Sequence, residues 1–424
     1  MGARKNNRLG DSGPILAVDL YTQAPQPRTR YSMTHAQTIS PKADDSLKNF
    51  RSTKFFESLD GLRCISILMV LFEHCYSVFY PSIHTLWIGT AGVDIFFAIS
   101  GFLIATLCLR EQGKTGDIDL GGFYRRRILR IFPLYYLVFA IYLASALHAR
   151  HGPLNVEFLH NAPWFALYLT NFMVHPRVDT LFFISWSLAT EEQFYLVWPN
   201  LQKAAKTKKT AMIVGGVLLL ALFGAVVTAL PSGHSRVSDF LSHLSPSICL
   251  GVLLAYALNH EPTFALLRRF WTKWNIVVVM AVMVGLIAVG GPIRAFLFPF
   301  ASAAIVWSAV QVPQHVLQKV LTLRLVSYIG KISYGMYLLH LLCHHFVKGF
   351  CDKYGVTDKV VQFGITVVVT VVVAGLSYRF FESWFLRLKR SPKQANYGGR
   401  PEPGEPVAGI EGPVAEVVGS TARN

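Results

Sequence analysis

The chain has 424 residues, 52% of them apolar and 15% charged, with a positive mean hydropathy of +0.40. A soluble protein of this length would show charged faces throughout. Here charge gathers in short clusters between long apolar runs, which describes an all-α polytopic membrane protein. The net charge of +16 lies in clusters beside apolar segments. Cytoplasmic loops rich in Lys and Arg, facing anionic headgroups, therefore account for it, and no nucleic-acid partner is expected.

Residues 1–54 are polar and basic and lack the apolar run of a signal peptide, so they are expected to be a disordered cytoplasmic tail. The first span, 59–80, reads LDGLRCISILMVLFEHCYSVFY and retains Asp60, Arg63, Glu73 and His74. About 20 apolar residues cross a bilayer, and ionisable groups inside such a helix are costly enough to need a reason. Arg63 and His74 are eleven residues apart. That is nearly three turns at about 3.6 residues per turn, so they share a face, roughly 16 Å apart along the axis. Imidazole is the side chain suited to acid–base work near neutral pH. Glu73, one step along, points about 100° away and is no automatic partner for His74.

The second span, 86–109, contains GVDIFFAISGFLI with Asp94, and RRRILR (Arg125–Arg130) leads into a third at 131–148. Arg127 and Arg130 are three apart and share a helix face. Arginines so placed suit bidentate phosphate binding, and a plain topology signal explains the cluster equally well. Residues 162–173 are apolar but short, and are expected to be re-entrant or interfacial rather than spanning. The fourth span, 182–201, carries Glu191 and Glu192. Adjacent carboxylates in hydrocarbon demand a polar cavity or a cation such as Arg63 or an arginine of span three.

Further spans at 211–230, 238–258, 275–290, 293–311, 327–348 and 360–383 bring the total to about ten. They form a membrane domain over 55–385, followed by a Pro- and Gly-rich disordered tail, 386–424. With the N-terminus inside, the cytoplasmic loops hold 15 Lys and Arg and the outer loops 5, which places both termini in the cytoplasm. The six cysteines form no CxxC pair. His340 and His344 share a face without a third ligand, so no metal is expected. Neither a phosphate-binding glycine loop nor a GxSxG elbow is present.

Five motifs then stand in order: SLDGLR followed by His74, GVDIFFAISGFLI (92–104), FYRRRILRIFPLYY (123–136), SWSLATEEQFYLVWP (185–199) and ISYGMYLLH (332–340). With them the chain resembles acyltransferase family 3, integral-membrane enzymes that acylate cell-surface sugars and some small molecules. The resemblance implies ten core spans and an acyl-CoA donor, usually acetyl-CoA. It implies a carbohydrate or other hydroxyl acceptor and a place in the bacterial inner (plasma) membrane. It makes His74 catalytic and implicates Arg63, Arg127 and Arg130 in donor handling. Glu191 is the second catalytic candidate, on the buried-carboxylate argument. The competing expectation is a transporter or flippase. Buried charges and ten spans suit it, but the sequence shows no internal repeat.

Overall fold

The structure, a computed structural model, describes residues 43–76, 86–149, 152–172, 181–205, 207–228, 230, 241, 244–311 and 315–388. Most of the expected N-terminal tail, nearly all of the C-terminal tail and the loops at 81–85 and 231–237 lie outside the described residues. Among the described residues every regular element is helical. The order is α1 (Ala43–Ser52), α2 (Glu57–Cys75), α3 (Leu86–Thr115), α4 (Leu120–Ala149), α5 (Pro153–Ala166), a 3₁₀ turn (Thr170–Phe172), α6 (Ser185–Ala204) and α7 (Thr207–Thr228). There follow α8 (Pro246–Asn259), α9 (Glu261–Arg269), α10 (Asn275–Val289), α11 (Gly291–Val310), α12 (Gln318–Leu321) and α13 (Arg324–Lys353). Last come α14 (Lys359–Leu376), a π-helical turn (Ser377–Glu382) and α15 (Ser383–Arg387).

A helix stands at each of the ten expected spans. Four stretches are long and apolar enough to cross a membrane by length and composition: Ile88–Thr115, Leu120–Ala149, Gly291–Val310 and Lys359–Arg387. Met212–Thr228, Pro246–Asn259 and Asn275–Val289 are shorter apolar helices. The remaining three, α2, α6 and α13, carry His74, Glu191 and His340. Polar and ionisable groups dilute their apolar character.

Two expectations at the domain's edges give way to longer helices. Arg125–Arg130 lie inside α4 rather than ahead of it, as suits a residue of good helix propensity. Residues 43–52, expected to be tail, form α1 because Leu47 and Phe50 share a face and are both buried. Phe50 packs on Phe56 and Phe264. Arg110 of α3 donates to the carbonyls of Phe50 (2.9 Å) and Thr53 (2.7 Å), closing the end of the helix.

Burial separates centre from rim. Of the apolar stretches, that in α3 is 67% buried, whereas those in α4 and α14–α15 are 28% and 22% buried. α3 packs against α2, α6, α8 and α11. α4 and α14 instead turn Leu137, Ile141, Leu147, Val368 and Val372 outward, a surface that hydrocarbon solvates and water does not. These apolar helices, in a chain of this composition, make it an integral membrane protein.

The central crossings are close because glycine permits it. A side chain at Gly101 would run into the Ile248 carbonyl, and one at Gly251 into that of Ala98, so α3 and α8 meet backbone to backbone. Gly330 likewise lets α13 approach the Asp60 carbonyl of α2. The Gly330 approach sets α2 and α13 side by side, and the site depends on that.

Of the segment 162–173, residues 162–172 are described; they end α5 and enter the 3₁₀ turn. Their carbonyls are satisfied from neighbouring helices: Tyr135 donates to Phe165 (2.7 Å), Tyr136 to Ala166 (2.9 Å) and Gln193 to Tyr168 (2.8 Å). The amides of Asn171 and Gln193 pair reciprocally at 2.9 and 2.8 Å. Irregular backbone at membrane depth requires such protein partners.

Candidate active site

α2 brings two of the expected residues to the site. At its N-terminal end Arg63 contacts the Asp60 carboxylate at 3.4 Å. It also lies within electrostatic reach of Arg130 on α4 and of Glu191 and Tyr195 on α6. Arg127, one turn before Arg130, stands over the Tyr195 ring at 4.1 Å from its centroid. The Tyr195 hydroxyl donates to Glu191 Oε1, and Ser100 of α3 donates to the same oxygen. Glu192 lies within electrostatic reach of Glu191 and Arg127. Three basic and three acidic side chains from α2, α4 and α6 thus form one cluster. Paired charges in a low-dielectric site are tolerated where isolated ones are not. Arg63, Arg127, Arg130 and Glu191 are brought together, as charge compensation required. Ser100 and Tyr195 were not expected. The i, i+4 spacing of Glu191 and Tyr195 was the available signal.

Toward the other end of α2, His74 Nδ1 meets His340 Nε2 of α13 at 2.9 Å. The two rings are within 14° of parallel and their centroids are 5.1 Å apart. That is the separation of imidazoles joined nitrogen to nitrogen in a common plane, and the rings are not stacked face to face. His340 is fully buried, whereas His74 keeps some accessible surface. His340 Nδ1 is 2.6 Å from the Tyr337 carbonyl. The Tyr337 hydroxyl is itself held by Ser187 (2.6 Å) and by the Ile184 carbonyl (2.9 Å) at the start of α6. The Phe183 ring flanks His74 nearly perpendicular to it, with centroids 5.2 Å apart. Glu191 is not hydrogen-bonded to His74; it accepts from Ser100 and Tyr195 at the arginine cluster. His340 is the residue that sequence spacing undervalued: paired with His344 four residues on, it suggested only an incomplete metal site. Among the described residues no three His, Cys, Asp or Glu side chains form a metal-binding group.

The other ionisable groups of these helices lie elsewhere. Glu73 accepts from the Gly89 amide at 2.6 Å near the N-terminus of α3, where the helix dipole favours negative charge. Asp94 accepts from Ser247 at 2.6 Å. Both lie within electrostatic reach of Arg294 on α11, a residue only 4% exposed. Arg294 supplies the compensation that Asp94 needed, from a helix that sequence spacing could not connect to it.

The family model for the acyltransferase domain matches residues 56–379, from the start of α2 through α14. The chain belongs to acyltransferase family 3. It is similar to the O-acetyltransferase OatA of Staphylococcus aureus strain NCTC 8325, 29% identical over 367 residues, which covers 80% of this chain and 58% of OatA. OatA of strain COL matches at the same identity and coverage. A further protein of strain COL, named as a proposed O-acetyltransferase, is 27% identical over 365 residues, covering 79% of this chain and 58% of its own. The matched region is thus a little over half the length of these relatives. No solved structure matches.

Proposed function

We propose that the chain is a membrane O-acyltransferase with about ten spans. It moves an acyl group, acetyl in the usual case, from cytosolic acyl-CoA to a hydroxyl of a cell-surface sugar or similar acceptor, with His74 as general base. The observation that carries this is the layout of α2. One helix of a family-3 acyltransferase domain bears Arg63 inside an arginine cluster and, on the same face, His74 held by a buried partner.

The charge distribution of the loops supports an orientation with Arg63, Arg127 and Arg130 toward the cytosol and both termini inside, in a bacterial plasma membrane. CoA is anionic, and arginine forks match its phosphates in geometry and charge. With the nucleotide at the cluster, the pantetheine arm extends along α2 toward His74, a span of roughly 16 Å. The acceptor hydroxyl gives its proton to His74 as its oxygen attacks the thioester carbonyl. The carbon–sulfur bond then breaks, and the CoA thiolate leaves and recovers the proton from the imidazolium. A base so placed contributes about 10²–10⁴-fold, and holding donor and acceptor together supplies more. Glu191, held by Ser100 and Tyr195, balances the arginines and keeps the cluster from excess positive charge between donors.

The test is mass spectrometry of surface glycans and lipids from cells with and without the gene, together with acyl-CoA turnover by the purified chain in detergent. A gain of one acyl mass on a hydroxyl-bearing species, with CoA release in vitro, is the expected result. A protein that moves a substrate across vesicles without consuming acyl-CoA would be a transporter, and the proposal would fail.

A further inference from the structure

We infer that His340 is the positioning residue that fixes the tautomer of His74 and thereby selects Nε2 as its basic atom. This rests on the proposed reading of His74 as general base.

A backbone carbonyl can only accept, so the 2.6 Å contact from His340 Nδ1 to the Tyr337 carbonyl requires the proton on His340 Nδ1. A neutral imidazole carries one N–H, so His340 Nε2 is then a lone pair. The 2.9 Å contact to His74 Nδ1 in turn requires its proton on His74. The remaining nitrogen, His74 Nε2, is therefore unprotonated and available. The alternative protonation, His340 as imidazolium, would place a cation at a fully buried position, where it costs heavily without a carboxylate. Neither His340 nitrogen contacts one: they face His74 and the Tyr337 carbonyl.

The surroundings hold this chain of donors in one arrangement. Tyr337 is pinned through its hydroxyl to Ser187 and Ile184, so the accepting carbonyl cannot drift. Gly330 admits α13 close to α2 at the Asp60 carbonyl, so the two helices run packed together toward the rings. The near-coplanarity of the imidazoles keeps the shared hydrogen bond straight. When His74 takes a proton at Nε2, its Nδ1–H becomes a stronger donor to a lone pair already in place. His340 thus favours the charged form of His74 without contacting either substrate. The arrangement does for this histidine what a carboxylate or carbonyl does for other reactive or metal-bound histidines.

The experiment compares kcat, the KM for acyl-CoA and calorimetric CoA affinity for the full chain and for the variants His340→Gln, His340→Leu, His74→Ala and the double variant His74→Ala with His340→Leu. Leu fills the volume but accepts nothing, whereas Gln presents a carbonyl oxygen near the place of Nε2. His340→Leu is expected to lose at least about 10- to 100-fold in kcat, the range typical when a group that orients a metal-bound histidine is removed, with CoA affinity unchanged. His340→Gln is expected to recover most of that loss. The double variant should be no worse than His74→Ala alone, because a residue acting through another has nothing left to act on. A His340→Leu protein with full kcat would overturn the inference. So would a Gln variant no better than Leu, losses that multiply in the double variant, or a Leu variant that loses CoA affinity. His74→Ala with near-normal turnover would instead remove the reading on which the inference stands, and the two failures are distinct.

Discussion

The two ends of α2 hold ionisable groups in opposite ways. Around Arg63 the protein gathers charge: three arginines, three carboxylates and a tyrosine from three helices, each within reach of a group of opposite sign. Around His74 the contacts are uncharged: one imidazole faces another, a backbone carbonyl closes the chain, and the Phe183 ring lies on the flank. A site for a polyanionic donor needs strong, compensated charge. A site that takes one proton and returns it needs a base in a defined tautomer, with no charged group in contact to fix its state. On the proposed reading one helix serves both, because about three turns carry the chain from one environment to the other.

This comparison can be broken at either end. The largest effect is expected at the histidine end, where His74→Ala should lower kcat by about 10²–10⁴-fold and leave CoA affinity intact. Next is the trio of Glu73, Asp94 and Arg294 on α2, α3 and α11. Removing Arg294 leaves buried Glu73 and half-buried Asp94 without that cation, and orphaned buried charges typically cost about 3–5 kcal/mol. Arg294→Met should therefore lower the denaturation midpoint in detergent sharply, and adding Asp94→Asn should restore part of it. An Arg294→Met protein as stable as the parent would mean that the trio is not a charge network.

At the arginine end, Arg127→Ala and Arg130→Ala should each weaken CoA binding by about 1.5–3 kcal/mol, or roughly 10- to 150-fold at about 1.4 kcal/mol per decade. The KM for acceptor should change little. Lysine should rescue only in part, since an ammonium lacks the fork, and the loss should shrink for donor analogues without nucleotide phosphates. Labelling of single cysteines sharpens the sidedness of the comparison. Reagent added from outside should reach the 231–237 loop and miss the Lys203–Lys209 segment. The reverse would place the arginines on the wrong side for a cytosolic donor.

The smallest effect is expected outside the spans. Burial holds the His315 imidazole, bonded to Ser58 at 3.0 Å, below its ordinary value of 6.5. A group whose folded value is depressed stays neutral in the fold, so stability is full above pH 6.5 and declines as pH falls through that value toward the lower one. His315→Gln should flatten the fall in thermal midpoint between about pH 7 and pH 5. An unchanged slope would assign it to other groups.

What the sequence could and could not show follows from how each feature is encoded. The ten helices were legible because apolar length is a local signal, and Arg63 and His74 because helical period puts eleven residues on one face. The arginine cluster was foreseeable in kind: Glu191 and Glu192 had to be compensated, and few cations were in reach. The actual partners were not legible. His74 and His340 are 266 positions apart, and periodicity says nothing of which helices pack together. Asp94 found its cation on α11 for the same reason. α1 was missed because composition outweighed the short Leu47–Phe50 repeat. Ten helices, moreover, are not ten spans: α2, α6 and α13, which carry His74, Glu191 and His340, are not marked as spans by length and apolar character alone.

The most direct test of the division of labour along α2 is one paired measurement on the purified full chain: CoA affinity by calorimetry and kcat at saturating acyl-CoA, for the parent, His74→Ala, Arg127→Ala and Arg130→Ala. The two ends should separate cleanly. His74→Ala should bind CoA as the parent does and fail to turn over, while the arginine variants should bind CoA weakly and approach parental kcat at saturating donor. A His74→Ala protein that turns over normally, or arginine variants that bind CoA as tightly as the parent, would contradict the account.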